Sequence, residues 1–228
     1  MILIDILFPK TCFGCGHLGT YFCQSCVKHL IKIKNDTCPY CNKASPLGLT
    51  HPVCRRKNGL DGAVSLFYYS GLFKRIIKKI KYRLVREAQK EFFDQIGLLI
   101  IDKMIKYKKI DQNFYVQPIP LSKKRLHQRG FNQAEPLANF LTKFLNFRPG
   151  DFLIRKKETA IQAQLKNSRD RYFNLKGAFS LNSTSSPKNK KIILVDDIIT
   201  TGTTVKEAAR VLKIGLAEKV IAFSLAKG

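Results

Sequence analysis

The sequence predicts an α/β fold, a mainly parallel sheet flanked by helices, preceded by a small cysteine-rich module. Three observations carry this expectation. Residues 192–195 (IILV) form an apolar, mostly β-branched run, the pattern of a parallel strand buried on both faces. Further strand-like runs at 63–69, 113–116, 151–154, 178–181 and 219–225 alternate with segments of helical spacing. Three Cys-x-x-Cys pairs lie between Cys12 and Cys41. At 228 residues, one domain plus a small module is the natural organisation, and 45% hydrophobic content suffices for a core. The turn at Asn58-Gly59 divides the chain into a module over 1–58 and a domain over 59–228.

The module reads as metal-binding. Seven cysteines are present, an odd number: Cys12 with Cys15, Cys23 with Cys26, Cys38 with Cys41, and Cys54 alone. Two Cys-x-x-Cys pairs hold one tetrahedral zinc ion and close a structural site with no open position. Cys12, Cys15, Cys23 and Cys26 are the simplest ligand set, with Gly16 allowing the tight turn past the second thiolate. Cys38, Cys41 and Cys54 make a weaker second set, with His51 available as a fourth ligand. Lys57 stands where a regular double ribbon would place its last cysteine. An interleaved site of Cys12, Cys15, Cys38 and Cys41 is the alternative. His17, His29 and His127 read as solvated, and a helix is expected from residue 27.

Residues 63–69 read as the first strand of the domain. Ser70 then starts a helix with Leu72, Phe73, Ile76, Ile77 and Ile80 on one face and Lys74, Arg75, Lys78 and Lys79 on the other. Such a basic face is ordinarily the solvated back of a core helix, and it is also the best phosphate-tracking surface in the chain. A second helix is expected over 84–106. The strand at 113–116 runs into Gln117-Pro-Ile-Pro-Leu-Ser122, where proline stops the ladder. Ser122, Lys123, Arg125 and Arg129 follow beside that strand end, and the cations suit a diphosphate, arginine bidentately. A helix with Leu137, Phe140, Leu141, Phe144 and Leu145 on its core face comes next. The polar, basic connection 155–177, containing Gln162 and Arg169, has the length of a mobile lid.

The stretch KIILVDDIITTGTT (191–204) is the one around which the domain is arranged. A strand is expected to end at Val195, followed by the acid pair Asp196-Asp197, then Ile198, Ile199 and the loop Thr200, Thr201, Gly202, Thr203, Thr204. A helix follows, with Val205, Ala208, Ala209 and Leu212 on one face. The loop offers backbone N–H groups and hydroxyls at a helix N-terminus, where the dipole favours an anion. Gly202 permits close approach to a phosphate. The carboxylates accept hydrogen bonds from sugar hydroxyls and can hold a hydrated Mg²⁺. No Gly-Lys-Ser/Thr ends the loop, so it is not a P-loop.

The charge balance sets a second expectation. Lys+Arg 41 against Asp+Glu 16 leaves a formal charge of +25, which attracts polyanions, nucleic acid first and acidic lipid second. A general solubility charge is the plain alternative. No run has the length of a membrane span. Residues 1–8 are apolar but interrupted by Asp5 and lack the basic start and cleavage site of a signal peptide, so the cytoplasm is the expected compartment.

The 192–204 run resembles the phosphoribosyl-diphosphate (PRPP) binding motif of type I phosphoribosyltransferases. Together with Gln117-Pro-Ile-Pro-Leu, Arg129-Gly-Phe-Asn-Gln133, Gln162, Leu165, Arg169 and Asn174, and with the cysteine module ahead, it makes the chain similar to the ComF family of competence proteins. The resemblance implies a type I phosphoribosyltransferase fold with an N-terminal double zinc ribbon. It implies that Asp196 and Asp197 contact the ribose hydroxyls and that residues 200–204 wrap the 5-phosphate, with Mg²⁺ accompanying PRPP. It implies a role in DNA uptake during natural transformation, with contact to single-stranded DNA. Two further readings stay open: an active phosphoribosyltransferase on an unidentified amine or base, and a PRPP-sensing adaptor for a DNA-uptake helicase.

Overall fold

The computed structural model describes residues 9–82, 86–110, 113–158 and 174–228. In the module, the chain folds around its cysteines. Helix α1 (Gln24–Lys28) starts earlier than the sequence suggests, inside the second cysteine pair. Cys23 occupies the N-cap and its Sγ accepts from the Cys26 N–H at 3.4 Å, the place that a serine or aspartate side chain commonly fills. Gly16 has φ +84°, the left-handed conformation that the turn past Cys15 needs.

Strand β1 (Gly62–Tyr68) opens the domain, followed by α2 (Gly71–Tyr82) and the long α3 (Arg86–Ile110). Strand β2 (Phe114–Pro118) ends at its proline, and a short helix α4 (Lys123–Arg129) follows where the sequence suggested only a basic loop. Gly130, at φ 72°, ends α4. Next come α5 (Glu135–Leu145), the two-residue β3 (Arg148–Pro149), β4 (Leu153–Arg155), β5 (Phe179–Leu181), β6 (Lys191–Ile199), α6 (Thr203–Ile214) and β7 (Lys219–Lys227).

The main sheet has five strands in the order β1-β7-β6-β2-β3, every neighbouring pair parallel. Strands β4 and β5 form a separate antiparallel pair. Central β6 is buried on both faces. Ile193 and Val195 join the layer that holds Phe73, Phe92 and Leu137 of α2, α3 and α5. Ile192 and Leu194 join Val205, Ala208 and Leu212 of α6, together with Phe152 and Phe179. This is the three-layer α/β architecture expected of a hydrophobic run read as a parallel strand.

One boundary needs correcting. β6 does not end at Val195 but runs on through the acid pair to Ile199, because β7 continues beside it and pairs Asp196 with Ser224 and Ile199 with Lys227. On its other side β6 loses its neighbour at Val195, the partner of Pro118. The second half of β6 is thus flanked by a strand on one side and by a crevice on the other. Crevices beyond the carboxyl ends of parallel strands are where α/β sheets take their ligands.

The module is not suspended from the domain. Phe13, Phe22 and Leu30 lie in the same apolar cluster as Phe67, Phe73 and Phe92. The Phe22 N–H donates to Glu91 of α3 at 2.8 Å, and the Ile33 and Tyr68 amides bond across to Leu66 and Ile31. The module so covers the outer edge of β1, an otherwise open row of backbone groups. None of the described helices is long and apolar enough to cross a membrane.

Candidate functional site

The crevice beside β6 is a cleft of about 410 Å³. Asp196, Asp197 and Ile198 form its floor, and Thr200 and Thr204 its end at the loop. Each carboxylate accepts from the next backbone amide: Asp196 Oδ1 from Asp197 N–H at 2.8 Å and Asp197 Oδ1 from Ile198 N–H at 2.9 Å. These bonds fix the orientation of both acids in the floor. Gly202, at φ +72° and ψ 4°, caps α6, and its position turns the chain from strand into helix within four residues of Ile199. Thr201 and Thr203 hydroxyls bond each other at 2.8 Å. Ile199 is buried below the loop, and Thr203 does not line the cleft.

The same cleft also carries a cluster of cations. Arg125 and Arg129 of α4 and Arg155 at the end of β4 all line the cleft, and Lys74 of α2 stands with Tyr69 at its mouth. Burial lowers the pKa of Arg125, with Arg129 adding to the effect and Glu158 opposing it. Burial likewise lowers Arg155, to about 10; Arg125 adds to this, while Asp196 and Glu158 hold it up. Both guanidinium groups remain charged at neutral pH. Partly buried like charges that share a cleft with two carboxylates suit an anion that also carries hydroxyls.

The placement of α4 follows from local sequence. Asn132 Nδ2 donates to the Ile119 carbonyl at 3.1 Å and its Oδ1 accepts from Ala134 N–H, tying the residues after α4 to the end of β2. Arg129 Nη1 donates to Gln133 Oε1 at 2.7 Å. Lys123, by contrast, is exposed and does not line the cleft, and Ser122 is buried at the start of α4. A helix placed here turns successive side chains through 100°, so Arg125 and Arg129, four apart, share the cleft face while Lys123 points elsewhere. Gln162 and Arg169 lie outside the described residues. Arg155 and Tyr69 were not among the residues picked from sequence, and Lys74 was picked only for the basic face of its helix. Arg155 carries the same signal that marked Arg125, a cation at the end of an apolar strand run.

Two donor sets occupy the module. Cys12, Cys15, Cys23 and Cys26 form one, and Cys38, Cys41, His51 and Cys54 the other, ligand atoms within each set lying within 4.8 Å of one another. The interleaved arrangement is not formed. His51 completes the second set: its Nε2 lies 3.0 Å from the Ala44 carbonyl, a bond that fixes the ring and turns Nδ1 toward Cys41 Sγ at 3.3 Å. Burial works upward on Cys12 and Cys38, but backbone N–H groups outweigh it and hold both thiols at about 6, thiolates ready for a metal. His17, His29 and His127 are exposed.

A parallel-sheet domain with an acid pair at the crevice and a Thr/Gly loop, carrying a cysteine-rich module, defines a phosphoribosyltransferase-type protein with a zinc ribbon. Residues 132–228 match the phosphoribosyl transferase domain and residues 3–57 the double zinc ribbon domain. The chain is 30% identical over 218 residues to Competence protein ComFC of Bacillus subtilis (strain 168), covering 89% of this chain and 82% of that protein. It is 36% identical over 212 residues to Competence protein F of Haemophilus influenzae, covering 90% of this chain and 80% of that protein. It is 26% identical over 218 residues to the DNA utilization protein YhgH of Escherichia coli (strain K12), covering 90% and 91%. The chain belongs to the ComF family of competence proteins. The double zinc ribbon match and the two donor sets together support structural zinc.

Proposed function

We propose that the cleft binds PRPP with Mg²⁺, and that the protein works in the cytoplasm on incoming single-stranded DNA during uptake. The observation that carries the first half is that the acid pair of β6, Arg125, Arg129, Arg155 and the Thr loop line one cleft. Asp196 and Asp197 would take the ribose hydroxyls and a hydrated Mg²⁺, the arginines the diphosphate, and the 200–204 loop the 5-phosphate. The ion would neutralise diphosphate charge. The DNA half rests on the exposed Lys74, Arg75, Lys78 and Lys79 of α2, on the +25 charge, and on relatives named for competence and DNA utilization. Lys74 belongs both to this basic face and to the cleft mouth. The zinc module would be the surface that docks a helicase-type partner.

A second reading, transfer of the phosphoribosyl group to an amine or base, is favoured by the same arginines, whose charge in the cleft would stabilise a departing diphosphate. The two acids would then hold the ribose while its C1 gains positive character. Calorimetric titration of PRPP with Mg²⁺ into wild type and an Asp196→Asn, Asp197→Asn double variant tests the binding. Saturable binding lost in the variant is expected, whereas no binding to folded wild type would leave the cleft without a sugar phosphate. Affinity for oligo-dT should fall steeply with salt, and a flat salt dependence would remove the DNA half.

A further inference from the structure

The 200–204 loop has a second side. Behind it lies another concavity of about 190 Å³, between the loop and the knuckle of the second donor set. Thr37 and Asn42 enter it from the knuckle, Thr201 and Gly202 from the loop, Lys206 from α6 and Lys227 from the end of β7. Lys227 Nζ donates to Thr37 Oγ1 at 2.8 Å and to Asn42 Oδ1 at 3.1 Å, which uses two of its three N–H groups. Lys206 Nζ stands 5.1 Å from the centroid of the Tyr40 ring, and the Arg56 guanidinium 4.9 Å from the same ring. Two cations, Lys206 and Lys227, therefore share one hollow, with Arg56 beside the Tyr40 ring that lines it. Burial lowers the pKa of both lysines, and Arg56 and Lys227 lower Lys206 further, while the Cys38 thiolate opposes the shift on both. The carboxylate of Asp36 also lines the hollow, but Lys103 holds it at 2.7 Å. Among the described residues, no carboxylate pairs with Lys206 or Lys227.

We infer that this hollow is a second anion site, which takes a phosphate group between Lys206 and Lys227 on the module-facing side of the loop. Half-buried like charges repel one another and lack full hydration, so an anion between them removes both costs. The Thr37 and Thr201 hydroxyls add donors, and the start of α6, a helix of 12 residues, directs the positive end of its dipole toward the loop. The ligand is defined by its phosphate, whether a free phosphate or phosphomonoester or one phosphodiester of a DNA strand. The site is built from both parts of the chain and does not rest on the reading of the main cleft.

The test is titration of inorganic phosphate into the full chain, followed by calorimetry and phosphorus NMR. Saturable binding to wild type is expected. Lys206→Gln and Lys227→Gln should each weaken it by about tenfold or more, as loss of a charge-assisted contact does. Lys206→Arg keeps the charge and should keep the affinity, which separates loss of the site from loss of folding. The Asp196→Asn, Asp197→Asn variant should bind phosphate as wild type does while PRPP binding is lost, so the two sites can fail independently. Competition by oligo-dT would identify the phosphodiester as the source, and its absence a free phosphate or phosphomonoester; either supports the site. Equal phosphate affinity in wild type and folded Lys206→Gln and Lys227→Gln overturns it. So does displacement of bound phosphate by one equivalent of PRPP, which would put the ion in the main cleft.

Discussion

Gly202 shows how much a single residue decides here. Its φ of +72° belongs to the left-handed region, and Lys206 Cε lies 3.4 Å from where a Cβ would sit. Substitution by alanine should cost about 1–2 kcal/mol, the usual penalty of that backbone conformation for an L side chain. Urea unfolding of Gly202→Ala measures this, and an unchanged midpoint would show that the loop relaxes into another conformation. The glycine stood out in the sequence because it interrupts a run of threonines before a helical pattern. Its suggested use was close approach to phosphate; the structure adds the conformational need. Arg155 was passed over although its chemistry matches that of Arg125. Its place at the end of an apolar strand run is the signal that marked Arg125, but only the packing of the β4–β5 pair beside the crevice brings it to the cleft.

At the scale of elements, α6 does more than present a helix N-terminus. Glu207 is buried on it, and its carboxylate accepts from Arg210 Nε and Nη2 at 2.8 Å each and from the Gly177 N–H at 2.8 Å. The helix is so tied to the chain segment that enters β5. Burial raises the pKa of Glu207, but the Arg210 and Gly177 bonds outweigh it and the net shift is downward from 4.5. A carboxylate with a depressed folded pKa contributes stability that is fully present above its unfolded value and is lost as pH falls through the folded one. Glu207→Gln should therefore be less stable than wild type at neutral pH, with the gap closing below about pH 4. Unfolding curves across that range measure the gap, and a difference independent of pH would remove the charge from the account. Glu207 was not among the residues that the sequence singled out. The periodicity of Val205, Ala208, Ala209 and Leu212 located the helix correctly but is silent about a buried acid among them.

At the scale of the whole molecule, the zinc module and the sheet domain share one core. Phe22 lies 4.9 Å from Phe92 and 5.3 Å from Phe13, centroid to centroid, so the first donor set is packed against α3. Metal loss should propagate. A strong chelator should lower the melting temperature of the whole chain by at least about 5 °C, the change expected when the metal contributes more than about 2 kcal/mol to folding. A scan by calorimetry distinguishes this from a module that melts alone, which would leave the main transition where it was. The +25 charge is spread over a chain whose cleft, loop and basic helix face meet near one mouth.

What the sequence determined by itself is what depends on near neighbours along the chain. Cys-x-x-Cys spacing sets the chemistry of the module, the 192–195 run makes a strand buried on both faces, and the acid pair with its Thr/Gly loop marks the ligand end of the domain. These are local because periodicity and short motifs are local. Tertiary structure decided the rest. It extended β6 through Asp197 by giving it β7 as a partner, gathered Arg125, Arg129 and Arg155 from separate elements, and closed the second donor set with His51. It also set Lys206 and Lys227 against the knuckle of the module. Each of these joins residues far apart in sequence, and their positions depend on how layers pack, not on any pattern within one segment.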